Sequence, residues 1–287
     1  MLILGDTFEE LIGGRYLDNS FFSATRTHQA AKNSLLCIGL DPYFEQLPAI
    51  VKQDENPLFK FNKEIIEATR DIACCYKPQI AHYSAVGAEK DLELTINFIK
   101  SLDIPVLLDA KRGDVGSSAE MYAKELFERY GADAITVNPY LGLDSMEPYL
   151  SYSDKGVFIL CRTSNPGSAE LQNLRLEDDK LLYEHIAESA ATTWNYNGNV
   201  GLVVGATKPV ELKRIREIVG DTTLLLPGVG SQGADVGIMM DAGAGGGMLV
   251  SSSRAIIFAS PDADFGEAAR NVAIATRDEI NQYRIAA

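Results

Sequence analysis

Eight short apolar or β-branched runs recur along the chain, at Leu35–Gly39, Ile72–Tyr76, Pro105–Asp109, Ala134–Asn138, Gly156–Cys161, Val200–Gly205, Thr223–Pro227 and Gly247–Ser251. Segments of helical spacing separate them, among them Phe61–Ile72, Asp91–Leu102, Ala119–Tyr130, Leu181–Trp194, Pro209–Val219 and Phe265–Ile280. Strands that alternate with helices pair in parallel through right-handed crossovers. Eight such units between residues 34 and 287 fit a (β/α)8 TIM barrel, whose typical size is about 250 residues. A doubly wound open sheet would want a glycine fingerprint after the first strand, where Leu40-Asp41-Pro42 stands instead. Residues 1–33 read as an N-terminal helical extension packing on the barrel, an acidic lead-in followed by a helix over Asn19–Lys32.

Within this rhythm the third run breaks into alternating charges, Leu107-Leu108-Asp109-Ala110-Lys111-Arg112-Gly113-Asp114. In a regular strand residues i and i+2 share a face, so Asp109 and Lys111 would point the same way. Carboxylates and an ammonium at the end of a buried strand are costly to desolvate unless paired. The cluster is either an ion-paired strand end or a reacting centre. The following helix carries its own boundary signals: Ser117 and Glu120 have capping-box spacing, Tyr122, Leu126 and Tyr130 recur every four residues, and Gly131 can end it.

Charge narrows the partners. With 26 basic and 40 acidic residues the net charge is −14, so nucleic acid and anionic membrane surfaces are disfavoured by the long-range field. An anionic ligand would need a few local cations. Cys37, Cys74, Cys75 and Cys161 lie in or beside apolar runs without zinc-site spacing, and His28, His82 and His185 are scattered. Reduced core thiols are expected, and no metal centre. Met1–Glu10 has neither a basic nor a sustained apolar segment, and no stretch approaches the roughly 18 apolar residues of a membrane span. A cytoplasmic setting is the expectation.

Ligand sites in such barrels are built after the carboxyl ends of the strands. Read in that order, the sequence offers Asp41, then Lys77, then Asp109, Lys111 and Asp114, then Thr163, Ser164, Asn165, Pro166 and Gly167. Pro227-Gly228-Val229-Gly230-Ser231-Gln232-Gly233 follows strand seven, and Ser252, Ser253 and Arg254 follow strand eight. Barrels commonly bind phosphate with these last two loops. Their glycines let backbone N–H groups approach an anion, Gln232 is a neutral donor and Arg254 a planar charged fork. Lys77 and Asp41 read equally as members of a rim ion pair. His82 and Trp194 read as packing residues, Gly243–Gly247 as a plain turn on the opposite rim, and Leu171–Asp179 as a polar excursion.

Asp109-Ala110-Lys111-Arg112-Gly113-Asp114 matches the Asp-x-Lys-x-x-Asp signature of orotidine 5'-phosphate decarboxylases. The chain resembles the longer bacterial branch of that family also at Leu36-Cys37-Ile38-Gly39-Leu40-Asp41-Pro42, Tyr76-Lys77-Pro78-Gln79 and Leu226 to Gly233. The resemblance implies decarboxylation of orotidine 5'-phosphate to UMP and CO2, the last step of UMP synthesis, without metal or organic cofactor. It assigns Asp41 to the ribose hydroxyls, and Lys77, Asp109, Lys111 and Asp114 to a charge network at the reacting carbon. It further implies a homodimer with shared active sites, in which Asp114 reaches the neighbouring subunit. Ser164 would contact the pyrimidine, and Pro227, Gln232 and Arg254 would serve the phosphate side. Ser118 stands where family members often carry threonine, which keeps the hydroxyl and loses a methyl contact. A sugar-phosphate decarboxylase of the 3-keto-gulonate 6-phosphate type shares the signature but needs magnesium, and Lys77 fits it poorly. A nucleotide-sensing barrel would carry a broken catalytic set, whereas this set is complete.

Overall fold

The computed structural model describes residues 20–230 and 235–284. Strands β1 (Leu36–Leu40), β2 (Cys75–Pro78), β3 (Leu107–Arg112), β4 (Ala134–Val137), β5 (Gly156–Arg162), β6 (Val200–Val204), β7 (Leu224–Pro227) and β8 (Met248–Ser252) form one parallel sheet in the order β2-β1-β8-β7-β6-β5-β4-β3. Bridges Tyr76↔Val106 and Gln79↔Asp109 join β2 to β3, so the sheet closes into the expected (β/α)8 TIM barrel. Around it run α1 (Phe21–Lys32), α2 (Pro57–Thr69), α3 (Ala81–Ser84), α4 (Glu89–Ser101), α5 (Gly116–Lys124), α6 (Leu143–Leu150), α7 (Ser168–Gln172), α8 (Leu182–Ala191), α9 (Pro209–Val219), α10 (Val236–Gly243), α11 (Arg254–Ile257) and α12 (Phe265–Gln282). Among the described residues no helix is long and apolar enough to cross a membrane.

The barrel has two cores. One lies between strands and helices; the other fills the barrel axis with Cys37, Cys75, Leu107, Ala134, Phe158, Val203, Leu225 and Leu249. Helix α1 plugs the amino-terminal end of that axis. Ser20 caps it by accepting from the Ser23 N–H, and Phe21 and Phe22 pack on Phe158 at ring centroid distances of 5.8 and 5.6 Å. Phe158 fits because Gly201 stands across from it: a Cβ there would collide with the ring. The four cysteines are free and buried, as expected of core thiols.

Several boundaries differ from the sequence expectation for identifiable reasons. Ile72 and Ala73 still hydrogen-bond to Thr69 O, closing the end of α2, so β2 starts at Cys75 and Lys77 lies inside the strand instead of after it. The capping box at Ser117 does not form: α5 begins at Gly116, its N-cap is Val115 with no side-chain bond, and a π turn at Glu125–Arg129 follows. Helices α6 and α10 carry weak signals, an internal Pro148 in one and a glycine-rich run in the other, and the periodicity missed both. The Gly243–Gly247 turn wraps a buried guanidinium: Arg216 donates to the carbonyls of Gly243, Gly247, Gly220 and Thr222 at 2.6–2.9 Å. Burial lowers its pKa to about 10.

The connection after β5, which leads into the expected polar excursion at Leu171–Asp179, is tied down by a buried arginine. Arg162, 2% exposed, donates to Thr163 O, Ser168 Oγ and Gln172 Oε1 through Nη1 and to Glu211 through Nη2. Gln172 Oε1 also accepts the Thr163 N–H, and its Nε2 donates to the Thr163 hydroxyl. The segment that carries Ser164 is thereby pinned to the end of β5.

Candidate active site

Side chains two residues apart on a strand share a face. The interior row made of Cys75, Leu107 and Ala134 at the bottom therefore becomes Lys77, Asp109 and Thr136 one step higher, all buried, at the carboxyl-terminal mouth. Lys77 Nζ donates to Asp109 Oδ2 at 3.0 Å, and Lys111 Nζ to Asp109 Oδ1 at 2.6 Å. The two ammoniums differ in access. The Lys77 side chain is 6% exposed, whereas that of Lys111 is 43% exposed and faces the mouth.

The electrostatics follow from this chain of charges. Burial works against an ionised Asp109, but Lys77 and Lys111 outweigh it and hold the carboxyl well below the usual carboxylate range. Burial likewise works against a charged Lys77, yet Asp109 and Asp41 reverse it and hold the ammonium above its usual range. The group is thus a fixed cation–anion–cation array.

Lys111 does not reach Asp109 along a regular strand, contrary to the i and i+2 expectation. The β3–β4 ladder pairs Leu108 with Ile135 and next Arg112 with Val137, so three residues of β3 oppose Thr136 alone. Lys111 takes a left-handed φ of 46° in this bulge, a conformation that costs a non-glycine residue roughly 1–2 kcal/mol. Thr136 Oγ1 accepts the N–H groups of Ala110 (3.0 Å) and Lys111 (2.9 Å) and donates to Asp109 Oδ1 (2.8 Å).

On the other side of Lys77, Asp41 follows β1. Its Oδ2 accepts from Ser253 Oγ at 2.7 Å, while Oδ1 is buried with no hydrogen-bond partner among the described residues. Ser253 can come this close because Gly39 lacks a Cβ, which would sit 2.6 Å from the Ser253 Cβ. An unpaired buried carboxylate oxygen at the mouth is poised to accept from a ligand hydroxyl.

The remaining expected residues are less tightly joined. Asp114 accepts from the Val115 N–H at 2.8 Å and pairs with no cation among the described residues, and Ser118 is exposed on the first turn of α5. Ser164 packs beside Gly205 at the end of β6, where a Cβ would approach it to 3.0 Å. Pro227 ends β7, and Arg254, exposed at the start of α11, pairs with no carboxylate among the described residues. Gln232 lies outside the described residues, as do residues 1–19. His82 touches Pro42 O and the Tyr43 ring, a packing role as expected. Among the described residues no group of three or more His, Cys, Asp and Glu side chains could hold a metal ion. Thr136 is the contributor that sequence reasoning did not single out, whereas Ser253 was placed after strand eight without its contact to Asp41. The available signal for Thr136 was a hydroxyl residue on the interior face of an otherwise apolar strand.

A model of the family described as orotidine 5'-phosphate decarboxylase / HUMPS matches residues 34–270. Orotidine 5'-phosphate decarboxylase of Ralstonia pickettii (strain 12J) is 54% identical over 257 residues, covering 88% of this chain and 94% of the relative. That of Aromatoleum aromaticum is 52% identical over 269 residues, covering 92% and 99%. Among solved structures, Leishmania donovani OMP decarboxylase superposes with a TM-score of 0.78 at 41% identity, covering 93% of this chain and 100% of that one. Identity of this order over nearly the full length of these relatives, together with the shared barrel, leaves one assignment: the chain belongs to the orotidine 5'-phosphate decarboxylase / HUMPS family.

Proposed function

We infer that this chain decarboxylates orotidine 5'-phosphate to UMP and CO2, the last step of UMP synthesis, and that it does so without metal or organic cofactor. The observation that carries the reading is the Lys77–Asp109–Lys111 array at the barrel mouth, in a chain 54% identical to a curated orotidine 5'-phosphate decarboxylase.

The chemistry suits the array. The bond from the ring carbon to the carboxylate breaks, CO2 leaves, and the electron pair stays on a carbon that delocalises it poorly. The Lys111 ammonium, the accessible one, stabilises that charge and then gives its proton to form the C–H bond of UMP. Water restores the proton on Nζ. Lys77 and Asp109 hold Lys111 in place, and Asp41 takes the ribose hydroxyls with its free oxygen. A single charge pair near a protein surface supplies roughly 4 kcal/mol, against barrier reductions that reach about 23 kcal/mol. Positioning and remote binding energy must supply the rest. That gives Ser164 a place at the pyrimidine and Pro227, Gln232 and Arg254 a place at the phosphate.

The rest of the reading is a homodimer in the cytoplasm, each chain made of an extension (1–33) packed on a catalytic barrel (34–287), with Asp114 directed at the neighbouring subunit's site and Ser118 a substrate-binding hydroxyl. Asp114 has no cation of its own among the described residues, and an exposed Val115 and Met121 flank it on the same turn and helix.

Purified protein should consume orotidine 5'-phosphate in the presence of EDTA, followed by ultraviolet absorbance. Turnover only with added Mg²⁺ would sink the cofactor-free reading, and no turnover under either condition would sink the function. Shared sites make a separate prediction. Mixing equal amounts of inactive Lys111→Ala and Asp114→Asn chains should restore about a quarter of the wild-type activity, because half the dimers are mixed and each holds one intact site. Continued inactivity despite demonstrated subunit exchange would remove Asp114 from the neighbour's site.

A further inference from the structure

We propose that Thr136 is the positioning residue of the reacting lysine: its hydroxyl holds both ends of Lys111, the backbone directly and the ammonium through Asp109. This rests on Lys111 being the proton donor.

The argument begins with the ladder. Where β3 spends three residues against one of β4, the N–H groups of Ala110 and Lys111 lose their strand partners. Buried N–H groups without acceptors are expensive. Thr136 is the residue they face, and its Oγ1 accepts both, at 3.0 and 2.9 Å. A hydroxyl has two lone pairs and one hydrogen, so with both acceptor sites taken, the hydrogen is directed to Asp109 Oδ1 at 2.8 Å. Thr136 is 1% exposed, so its own hydroxyl is shielded from solvent. The same Asp109 Oδ1 accepts Lys111 Nζ at 2.6 Å. The loop therefore closes on one residue: Lys111 N–H to Thr136 Oγ1, Thr136 O–H to Asp109, Asp109 to Lys111 Nζ.

Two consequences separate this role from ordinary packing. The hydroxyl stabilises a left-handed φ of 46° at Lys111, and it spends its single hydrogen on the carboxylate that aims the ammonium. A methyl group of the same shape can do neither. Valine matches threonine in outline, and serine keeps the hydroxyl but loses the methyl. The two substitutions therefore divide volume from hydrogen bonding.

The test measures kcat and KM for orotidine 5'-phosphate in Thr136→Val, Thr136→Ser and Thr136→Ala, with melting temperatures alongside. Misplacing a reacting group by about 1 Å costs on the order of 10²-fold, so kcat of Thr136→Val should fall about that far with KM changed much less. Thr136→Ser should recover most of the lost kcat. If Thr136→Val does not fold, the serine and alanine variants, which lack the same methyl and differ in the hydroxyl alone, make the same comparison. A Thr136→Val enzyme with wild-type kcat would overturn the proposal, and so would a serine variant as slow as the alanine one. A crystal structure of Thr136→Val, or of Thr136→Ala should valine not fold, needs no substrate and stays informative if the decarboxylase reading fails. Lys111 should leave the left-handed region or lose its contact with Asp109, and an unmoved Lys111 refutes the idea.

Discussion

Lys111→Ala should lower kcat by about 10⁴-fold or more, the upper end of what a positioned acid contributes, since the same ammonium also stabilises developing charge. UMP affinity should change far less, because UMP carries neither the departing carboxylate nor the negative charge on carbon. Of the two ammoniums in the array, Lys111 is the accessible one. Lys77 is almost fully enclosed and held charged by Asp109 and Asp41, so it cannot readily give up a proton in its place. Lys111→Arg separates two contributions of the lysine. A guanidinium keeps the positive charge but does not release its proton in proteins, so arginine should leave turnover nearly as low as alanine does. An alanine variant that retains more than about a tenth of wild-type kcat would have lost under about 1.4 kcal/mol of transition-state stabilisation, too little for the residue that protonates carbon. Stopped turnover with retained UMP binding, measured by calorimetry on folded protein, is the expected pair of results.

The sequence carried the barrel and the charges but not the device that joins them. Periodicity located the eight strands because each is a short apolar run between helices, and the charged positions fell at their carboxyl ends for the same reason. It misplaced Lys77 relative to β2, since Ile72 and Ala73 are as apolar as the strand and yet close the preceding helix. It also treated Asp109 and Lys111 as neighbours on a regular strand. A bulge leaves no mark on hydrophobic patterning: the residues that make it, Asp109 to Lys111, are polar or small in either geometry, and what holds it is a threonine on another strand. Ser253 was legible as a rim hydroxyl but its bond to Asp41 was not, because that reach depends on a missing Cβ at Gly39, far away in the chain. Hydrophobic patterning passed over Arg162, which anchors the segment that carries Ser164. Strand-to-strand contacts of this kind become visible only when the barrel closes.

Asp109→Ala should be the most destabilising change at the site, and its pH dependence should identify the cause. The substitution leaves Lys77 enclosed, with Asp41 the remaining carboxylate that acts on it. Breaking a buried pair by removing one partner costs about 3–5 kcal/mol, and at about 2–4 °C per kcal/mol in a large domain the melting temperature should drop by roughly 6–20 °C. In the wild type, Asp109 has its pKa lowered, so its contribution is present above the unfolded value and fades as pH falls through the folded one. Lys77 has its pKa raised, so its contribution is complete below the unfolded value and is lost as pH rises through the folded one. Between roughly pH 5 and pH 9 neither group titrates in the wild type, and the pair contributes a constant amount. In Asp109→Ala the balance at Lys77 reverses: burial now dominates, its pKa falls below the unfolded value, and the folded state binds fewer protons than the unfolded one. Stability of the variant then rises with pH relative to the wild type. The gap in unfolding free energy between the two should be widest at the acid end of that window and narrow with rising pH as the buried lysine discharges. Denaturant unfolding near neutral pH and again at about pH 9 reads this directly, since a depressed lysine crosses that interval. A gap that stays the same at both pH values would mean that lost packing, and not an unpaired ammonium, accounts for the destabilisation.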